Sequence, residues 1–148
     1  MAAGSPRYNV ATQFTRGSTE VYGFNPSFIT TGSISLWVKV DTLGSSGWLP
    51  FTGDTTSKYL LATSGGTGNF YNGTVTAATS IVYYEDGNSV SAPTGLTTGW
   101  HHIAITGINI SSWTAFHINN YGGVSTTAWN STVKYSDIRV YNTVLSAQ

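Results

Sequence analysis

Aromatic side chains beside small or amide residues are the part of this sequence best suited to chemistry, and that chemistry is recognition. Tryptophan and tyrosine carry a flat apolar ring with a polar group at its edge, so they can stack on a sugar ring while neighbouring amides bind its hydroxyls. Four such aromatics lie in or beside predicted loops: Trp48, Tyr71, Tyr121 and Trp129. Their predicted polar partners are Asn72, Asn119 and Asn120. Ordinary loop packing explains the same aromatics equally well, and both interpretations stay open.

Histidines and carboxylates offer a second kind of chemistry, metal binding. His101 and His102 are adjacent, and adjacent side chains of a strand point to opposite faces, so these two cannot bind the same ion. One of them can pair with His117. Calcium prefers several oxygen ligands; the acids in or near predicted loops are Asp41, Asp54, Glu85 and Asp86. Because they form no Asp-x-Asp cluster, we interpret them as solvated turn residues and predict no metal or cofactor, with calcium as the alternative.

Other aromatic and charged residues fit structural roles. Trp37, Trp100 and Trp113 lie inside predicted strands, where burial of a large ring stabilises a core. We expect the histidine that shares a face with Trp100 to join an aromatic core cluster and the other to be exposed. Asp137 and Arg139, two positions apart on one predicted strand, are expected to form an ion pair at the surface.

Composition limits the class of protein. The chain has 148 residues, enough for one ordinary domain, and only 8% of them are charged, with a net charge of zero. Its 6 basic residues form no patch, which argues against nucleic acid as a partner. It contains no cysteine, and neither a signal peptide nor a membrane helix is predicted. We predict an N-terminal arm at residues 1–8 and a single domain at residues 9–148.

The hydrophobic pattern is that of β-strands. Residues 33–40 (SISLWVKV) alternate, with Ile34, Leu36, Val38 and Val40 on one face and polar residues or Trp37 on the other. Turn sequences such as Asp86-Gly87-Asn88 separate the strands. The nine predicted strands are residues 10–14, 20–24, 33–40, 48–52, 58–62, 80–84, 100–106, 113–118 and 133–141.

Four segments, in this order, resemble the laminin-G-like domains of the concanavalin A-like lectin and glucanase jelly-roll superfamily. They are SISLWVKV, GWHHIAIT, TAFHINNYGG and VKYSDIRVYNTVLSAQ, in which an Asp-x-Arg-x-Tyr pattern leads to Leu-Ser. Together they cover most of residues 33–148, while residues 43–84 match only in the rhythm of their strands. The resemblance implies an all-β fold, an antiparallel two-sheet sandwich of the concanavalin A-like (laminin-G-like) jelly-roll type.

The resemblance implies no particular reaction. The glycan hydrolases of that superfamily carry Glu-x-Asp-x-x-Glu on one strand face, whereas this chain has only Glu20 and Glu85, far apart in sequence. A Ser-His-Asp triad can be assembled from the inventory, but there is no Gly-x-Ser-x-Gly turn to present the serine. We therefore predict that the protein is not an enzyme and assign no catalytic residue.

Members of the superfamily include glycan lectins, adhesion modules, polysaccharide hydrolases and components of virus or phage particles. A short, cysteine-free chain rich in Thr, Gly and Asn is most similar to the last group. The leading hypothesis is a non-enzymatic homo-oligomeric module of a virion surface, a capsid decoration or fibre component that contacts another capsid or virion protein and adheres to a cell-surface glycan. One alternative is an extracellular lectin-like domain of a larger adhesin or polysaccharide-processing enzyme. The other is a small glycan hydrolase or lyase.

Overall fold

The fold is all-β in the part of the chain that the structure describes. A computed structural model describes residues 12–14, 22–42, 48–53, 59–63, 70–71, 76–90, 99–118 and 132–146, and no residue in these ranges is helical. Every pair of neighbouring strands runs antiparallel. The same residues include no helix long and apolar enough to cross a membrane. The predicted arm at residues 1–8 lies outside the described residues.

All nine predicted strands have a counterpart among the eleven strands that the structure describes. The strands are β1 (Thr12–Phe14), β2 (Tyr22–Phe24), β3 (Gly32–Thr42), β4 (Trp48–Thr52), β5 (Tyr59–Thr63), β6 (Phe70–Tyr71), β7 (Thr76–Glu85), β8 (Asn88–Val90), β9 (Gly99–Asn109), β10 (Phe116–Ile118) and β11 (Thr132–Tyr141). The prediction missed β6 and β8, which have two and three residues. It also began β10 three residues too early, since Trp113 lies in the connection from β9.

The strands form two sheets. A six-stranded sheet has the order β1-β11-β3-β9-β7-β8, and a five-stranded sheet has the order β2-β10-β4-β5-β6. Strands β3 and β9 are the longest and lie side by side at the centre of the larger sheet, with Leu36 opposite Ile103 and Trp37 opposite His102. These two strands therefore determine which side chains share a face across the sheet.

One hydrophobic cluster draws on both sheets. Alternate residues of β3 supply Ile34, Leu36 and Val38, each 0% exposed, as the alternating pattern predicts. The cluster continues through the apolar face of β9 and into the smaller sheet at Phe116, which is also 0% exposed. The side chain of Val40, predicted on the same face, lies outside what the structure describes. Burial of this aliphatic face is the main source of stability for the described fold.

A two-residue turn joins β7 to β8, as the sequence predicts. Its residues Asp86 and Gly87 both have positive φ, 51° and 82°, which is the conformation of a type I′ hairpin turn. Glycine adopts this backbone without strain, and aspartate tolerates it better than most residues. The turn places Glu85 and Asp86 at the end of β7 that lies beside the start of β9, since Glu85 is opposite Ile103.

Candidate functional site

The predicted recognition residues are not tested by the structure. Trp48 begins β4 and Tyr71 ends β6, and only the backbone course of these two positions is described. The other members lie outside the described residues: Asn72, Asn119, Asn120, Tyr121 and Trp129. The aromatic platform therefore remains a prediction, and the described residues offer two other sites.

The first site is the polar face of the six-stranded sheet, the face opposite the hydrophobic cluster. Because the register pairs Ser35 with Ala104 and Trp37 with His102, the side chains of Ser35, Trp37 and His102 lie on this one face. Tyr84 of β7 is opposite Ala104 from the other side, so it extends the face across a third strand. Three neighbouring strands thus present a hydroxyl, an imidazole and two aromatic rings together.

This face contains a cavity of about 180 Å³. Its walls include residues from three strands and from the segment that follows β11: Ser35, Tyr84, His102, Thr106, Leu145 and Ser146. The cavity is smaller than the usual pocket for a drug-sized ligand, which measures about 300–1,000 Å³. It is therefore suited to a small group, such as one edge of a sugar, rather than to a whole cofactor.

His102 is held in place at the cavity wall. Its Nε2 lies 2.9 Å from the Ser35 hydroxyl, and its ring centre lies 5.2 Å from that of Trp37. Burial lowers the pKa of His102, and the charge of Arg139 adds to this effect, while Asp86 and Asp137 oppose it. The imidazole is therefore neutral at pH 7 and can both donate and accept a hydrogen bond.

The expected arrangement of the tandem histidines was partly wrong. They point to opposite faces, as predicted, since His101 is opposite Val38 and His102 is opposite Trp37. His102, which shares a face with Trp100, contacts an aromatic ring on the polar face and not in the core. His101, expected to be exposed, is only 9% exposed, because it lies on the core side of the sheet.

The second site is a cluster of titratable groups around His101. Its Nδ1 lies 3.1 Å from Asp86 Oδ2 and 3.6 Å from Glu85 Oε1. The side chains of Glu85 and Asp86 are 17% and 19% exposed, so the prediction of solvated turn residues was wrong for these two acids. Burial raises the pKa of Glu85, the charge of Asp86 raises it further, and His101 opposes the rise.

The cluster was missed because its members are brought together only by strand pairing. Fifteen positions separate Asp86 from His101 in the sequence, and no short motif links them. One available signal was the sequence Asp86-Gly87, which predicts a hairpin turn and therefore that β7 ends at Glu85. The sequence does not indicate that the start of β9 lies beside that end.

The other residues considered as metal ligands from the sequence do not join this cluster in the part of the chain that the structure describes. Asp41 is bound by two lysines, with Lys134 Nζ at 3.1 Å and Lys39 Nζ at 3.3 Å, so it too is not a simple solvated acid. His117 lies in the smaller sheet, where its Nδ1 is 3.3 Å from the Gly53 carbonyl oxygen. Asp54 lies outside the described residues.

Two structural predictions are confirmed by contacts. Arg139 Nε donates a 2.7 Å hydrogen bond to Asp137 Oδ1, which is the expected surface ion pair. Trp113 is buried, at 2% exposed, and its ring centre lies 6.3 Å from that of Phe116.

Comparison of the chain with protein-family models, curated proteins and solved structures finds no match.

Proposed function

We propose that this chain is a non-enzymatic binding module whose polar sheet face recognises a glycan. In this proposal the two sheets form a jelly-roll sandwich of the concanavalin A-like type, displayed as a homo-oligomer on a virion surface. Its partners are another virion protein and a glycan of the host cell. The chain recognises the glycan by shape complementarity and hydrogen bonding and cleaves no bond in it.

The arrangement of the strands supports the fold part of the proposal. Both sheets are antiparallel, and one hydrophobic cluster takes side chains from each of them, as in a sandwich. The first described strand, β1, pairs with the last one, β11, and β11 pairs with β3. Such long-range pairing is typical of jelly rolls, in which the chain crosses repeatedly between two layers.

The cavity on the polar face is the observation that carries the functional part. Around it lie hydroxyl groups on Ser35, Tyr84 and Thr106 and the neutral imidazole of His102. Sugars present closely spaced hydroxyl donors and acceptors together with apolar C–H faces, so they fit a surface of this kind. Trp37 beside His102 adds a ring on the same face. Charge is not required, in keeping with a chain that is 8% charged.

A glycan array with the purified chain tests the binding. The key variants are Ser35→Ala and Tyr84→Phe, each of which removes one hydroxyl from the cavity wall. Ser27→Ala is the matched control, because Ser27 is an exposed serine in a turn and lies outside both the sheet and the cavity. We expect each cavity variant to bind about 2- to 10-fold more weakly, the loss of roughly one hydrogen bond, and the control to bind like the wild type.

Two outcomes would contradict this assignment. If the wild-type chain binds no glycan on the array, or if both cavity variants bind as it does, the polar face is not the binding face. Trp129→Ala and Tyr121→Ala in the same assay test the predicted aromatic platform. If those two variants alone lose binding, recognition belongs to the loops and not to the sheet face.

The non-enzymatic and virion parts need separate measurements. Incubation with a panel of polysaccharides, followed by assays for new reducing ends and for unsaturated products, should give neither; either product would mean a hydrolase or a lyase. Electron microscopy of assembled particles with a specific antibody should place the protein on their surface. If particles lack it, the lectin-like domain of a larger adhesin becomes the better assignment, and the complete reading frame would show the rest of that protein.

A further inference from the structure

A cluster of one imidazole and two carboxylates lies at the end of the six-stranded sheet, away from the cavity face. We propose that Glu85, Asp86 and His101 form a binding site for a divalent transition-metal ion of the zinc class. One ligand atom from each of the three side chains lies within 4.8 Å of the other two. The side chains of His101 and Glu85 lie on the face of the sheet opposite to His102, so the proposed ligand atoms are not those of the glycan site.

The distances suit a small tetrahedral ion. Zinc binds imidazole nitrogen and carboxylate oxygen at about 2.0–2.2 Å, which places neighbouring ligand atoms about 3.3–3.5 Å apart at the corners of a tetrahedron. The two distances from His101 Nδ1 are 3.1 Å to Asp86 and 3.6 Å to Glu85, on either side of that value. The ligand atoms of the two acids lie within 4.8 Å of each other, so an ion that binds all three side chains also requires these two atoms to settle at the tetrahedral spacing.

The charges of the cluster also favour a cation. Two carboxylates lie close together with side chains only 17% and 19% exposed. Among the described residues, the ion pairs of both acids are with His101 and not with any lysine or arginine. A bound divalent ion would neutralise both carboxylates where water shields them poorly.

Backbone contacts already hold Asp86 in the required position. Its N–H donates a 2.8 Å hydrogen bond to the carbonyl oxygen of His102, and the His102 N–H donates one of 2.8 Å to Asp86 Oδ1. One carboxylate oxygen is thus occupied by the backbone, while Oδ2 remains directed at His101. Contacts of this kind orient metal ligands and limit the cost of assembling a site.

The ligand set determines which metal to expect. A ligand set of imidazole and carboxylate is typical of zinc and other divalent first-row transition metals, whereas calcium and magnesium prefer oxygen ligands alone. Three protein ligands leave one tetrahedral position for water. Bound zinc would connect the β7–β8 turn to the start of β9 and stabilise the folded chain by an amount that grows with the logarithm of the free zinc concentration.

The test uses the full chain without a polyhistidine tag, treated with EDTA and then titrated with zinc by calorimetry. We expect saturable binding of one ion per chain and a melting temperature that rises with zinc concentration. Cobalt should bind at the same site and give the visible absorption of a tetrahedral ion. Calcium should produce neither the heat nor the shift in melting temperature.

Matched variants locate the site. Asp86→Asn and Glu85→Gln keep the size of each side chain, and asparagine tolerates the positive φ of position 86. Asp137→Asn is the control, because Asp137 is the other described aspartate at a φ of 51° and lies outside the cluster. We expect zinc binding to weaken at least about tenfold in both cluster variants and to stay unchanged in the control.

His101→Gln, with His117→Gln as its control, completes the set. If His101→Gln does not fold, Asp86→Asn and Glu85→Gln decide the question alone. The proposal is wrong if the wild-type chain shows no saturable zinc binding. It is also wrong if both acid variants bind zinc as tightly as the wild type, or if calcium binds there and zinc does not.

Discussion

The backbone N–H of Leu145 donates a 2.9 Å hydrogen bond to the hydroxyl of Ser33, a residue 112 positions earlier in the chain. The same hydroxyl donates a 2.9 Å hydrogen bond to the carbonyl oxygen of Thr143. Ser33 is 0% exposed, although it lies on the polar face of β3. The segment after β11 is therefore attached to the start of β3, and its residues Leu145 and Ser146 form part of the cavity wall.

Removal of the Ser33 hydroxyl should release this segment. In Ser33→Ala both hydrogen bonds of the buried hydroxyl are lost, and the backbone groups of Thr143 and Leu145 lose this partner. We expect the free energy of unfolding to fall by about 1–3 kcal/mol, measured by urea denaturation. Hydrogen exchange at the Leu145 amide should accelerate.

Ser27→Ala is the control for this prediction, because Ser27 is an exposed serine in a turn. Its effect should stay within about 0.5 kcal/mol of zero. Equal protection of the Leu145 amide in Ser33→Ala and in the wild type would contradict the attachment.

Replacement of Asp41 should have a small effect that depends on pH and salt. Partial burial raises the pKa of Asp41, but hydrogen bonds and charges from Lys134 and Lys39 outweigh it and hold the pKa below its ordinary value of 3.8. A carboxyl group with a lowered pKa stabilises the folded state above its ordinary pKa, and this contribution is lost as the pH falls through the folded-state pKa. Asp41→Asn should therefore lower the free energy of unfolding at neutral pH by under about 1 kcal/mol.

Urea denaturation of Asp41→Asn and the wild type, at neutral and at acidic pH, checks this prediction. The difference in the free energy of unfolding between the two proteins should shrink in 1 M salt, where the Debye screening length is about 3 Å. It should also shrink at acidic pH, where Asp41 becomes protonated. A difference that is the same under all these conditions would show that the ion pairs do not cause it.

Gly32 should not accept a side chain, for a reason of space. A Cβ atom at this position would lie 2.5 Å from Ile29 Cγ2 and 2.6 Å from the carbonyl oxygen of Tyr141. The second neighbour belongs to the backbone of β11 and cannot move aside without disturbing its pairing with β3. We expect Gly32→Ala to lower the free energy of unfolding by about 1–3 kcal/mol, as overpacking usually does.

Thr31→Ala is the matched control, since Thr31 is the exposed neighbour of Gly32. It should change stability by less than about 0.5 kcal/mol in the same urea assay. If Gly32→Ala has the same urea midpoint of unfolding as the wild type, β11 does not approach this position as closely as described.

The cluster shared by the two sheets should be the most sensitive part of the fold. Leu36 is 0% exposed and belongs to that cluster, so Leu36→Ala should cost about 2–5 kcal/mol, from lost burial and the cavity left behind. Val144→Ala is the control, because Val144 is 38% exposed. Thermal and urea unfolding measure both variants. A loss below about 1 kcal/mol for Leu36→Ala would contradict its place in the core.

The two sites could be predicted to different degrees. For the polar face, the alternation of residues 33–40 predicts correctly that the side chains of Ser35 and Trp37 lie on one face of β3 and that of Leu36 on the other. That His102 contacts both of them could not be predicted, because the register between β3 and β9 is a property of the folded pair. The interpretation of Glu85 and Asp86 as solvated failed for the same reason.

The sequence by itself determined what depends on neighbouring residues. Alternation of apolar and polar side chains defined the strands, and the Asp86-Gly87 pair defined a turn with positive φ, because both effects are local. The tertiary structure alone decided which strands are neighbours. Strand pairing brings His101 beside Glu85 and Asp86, and brings Leu145 onto Ser33, because contacts between distant positions depend on the packing of the whole sheet.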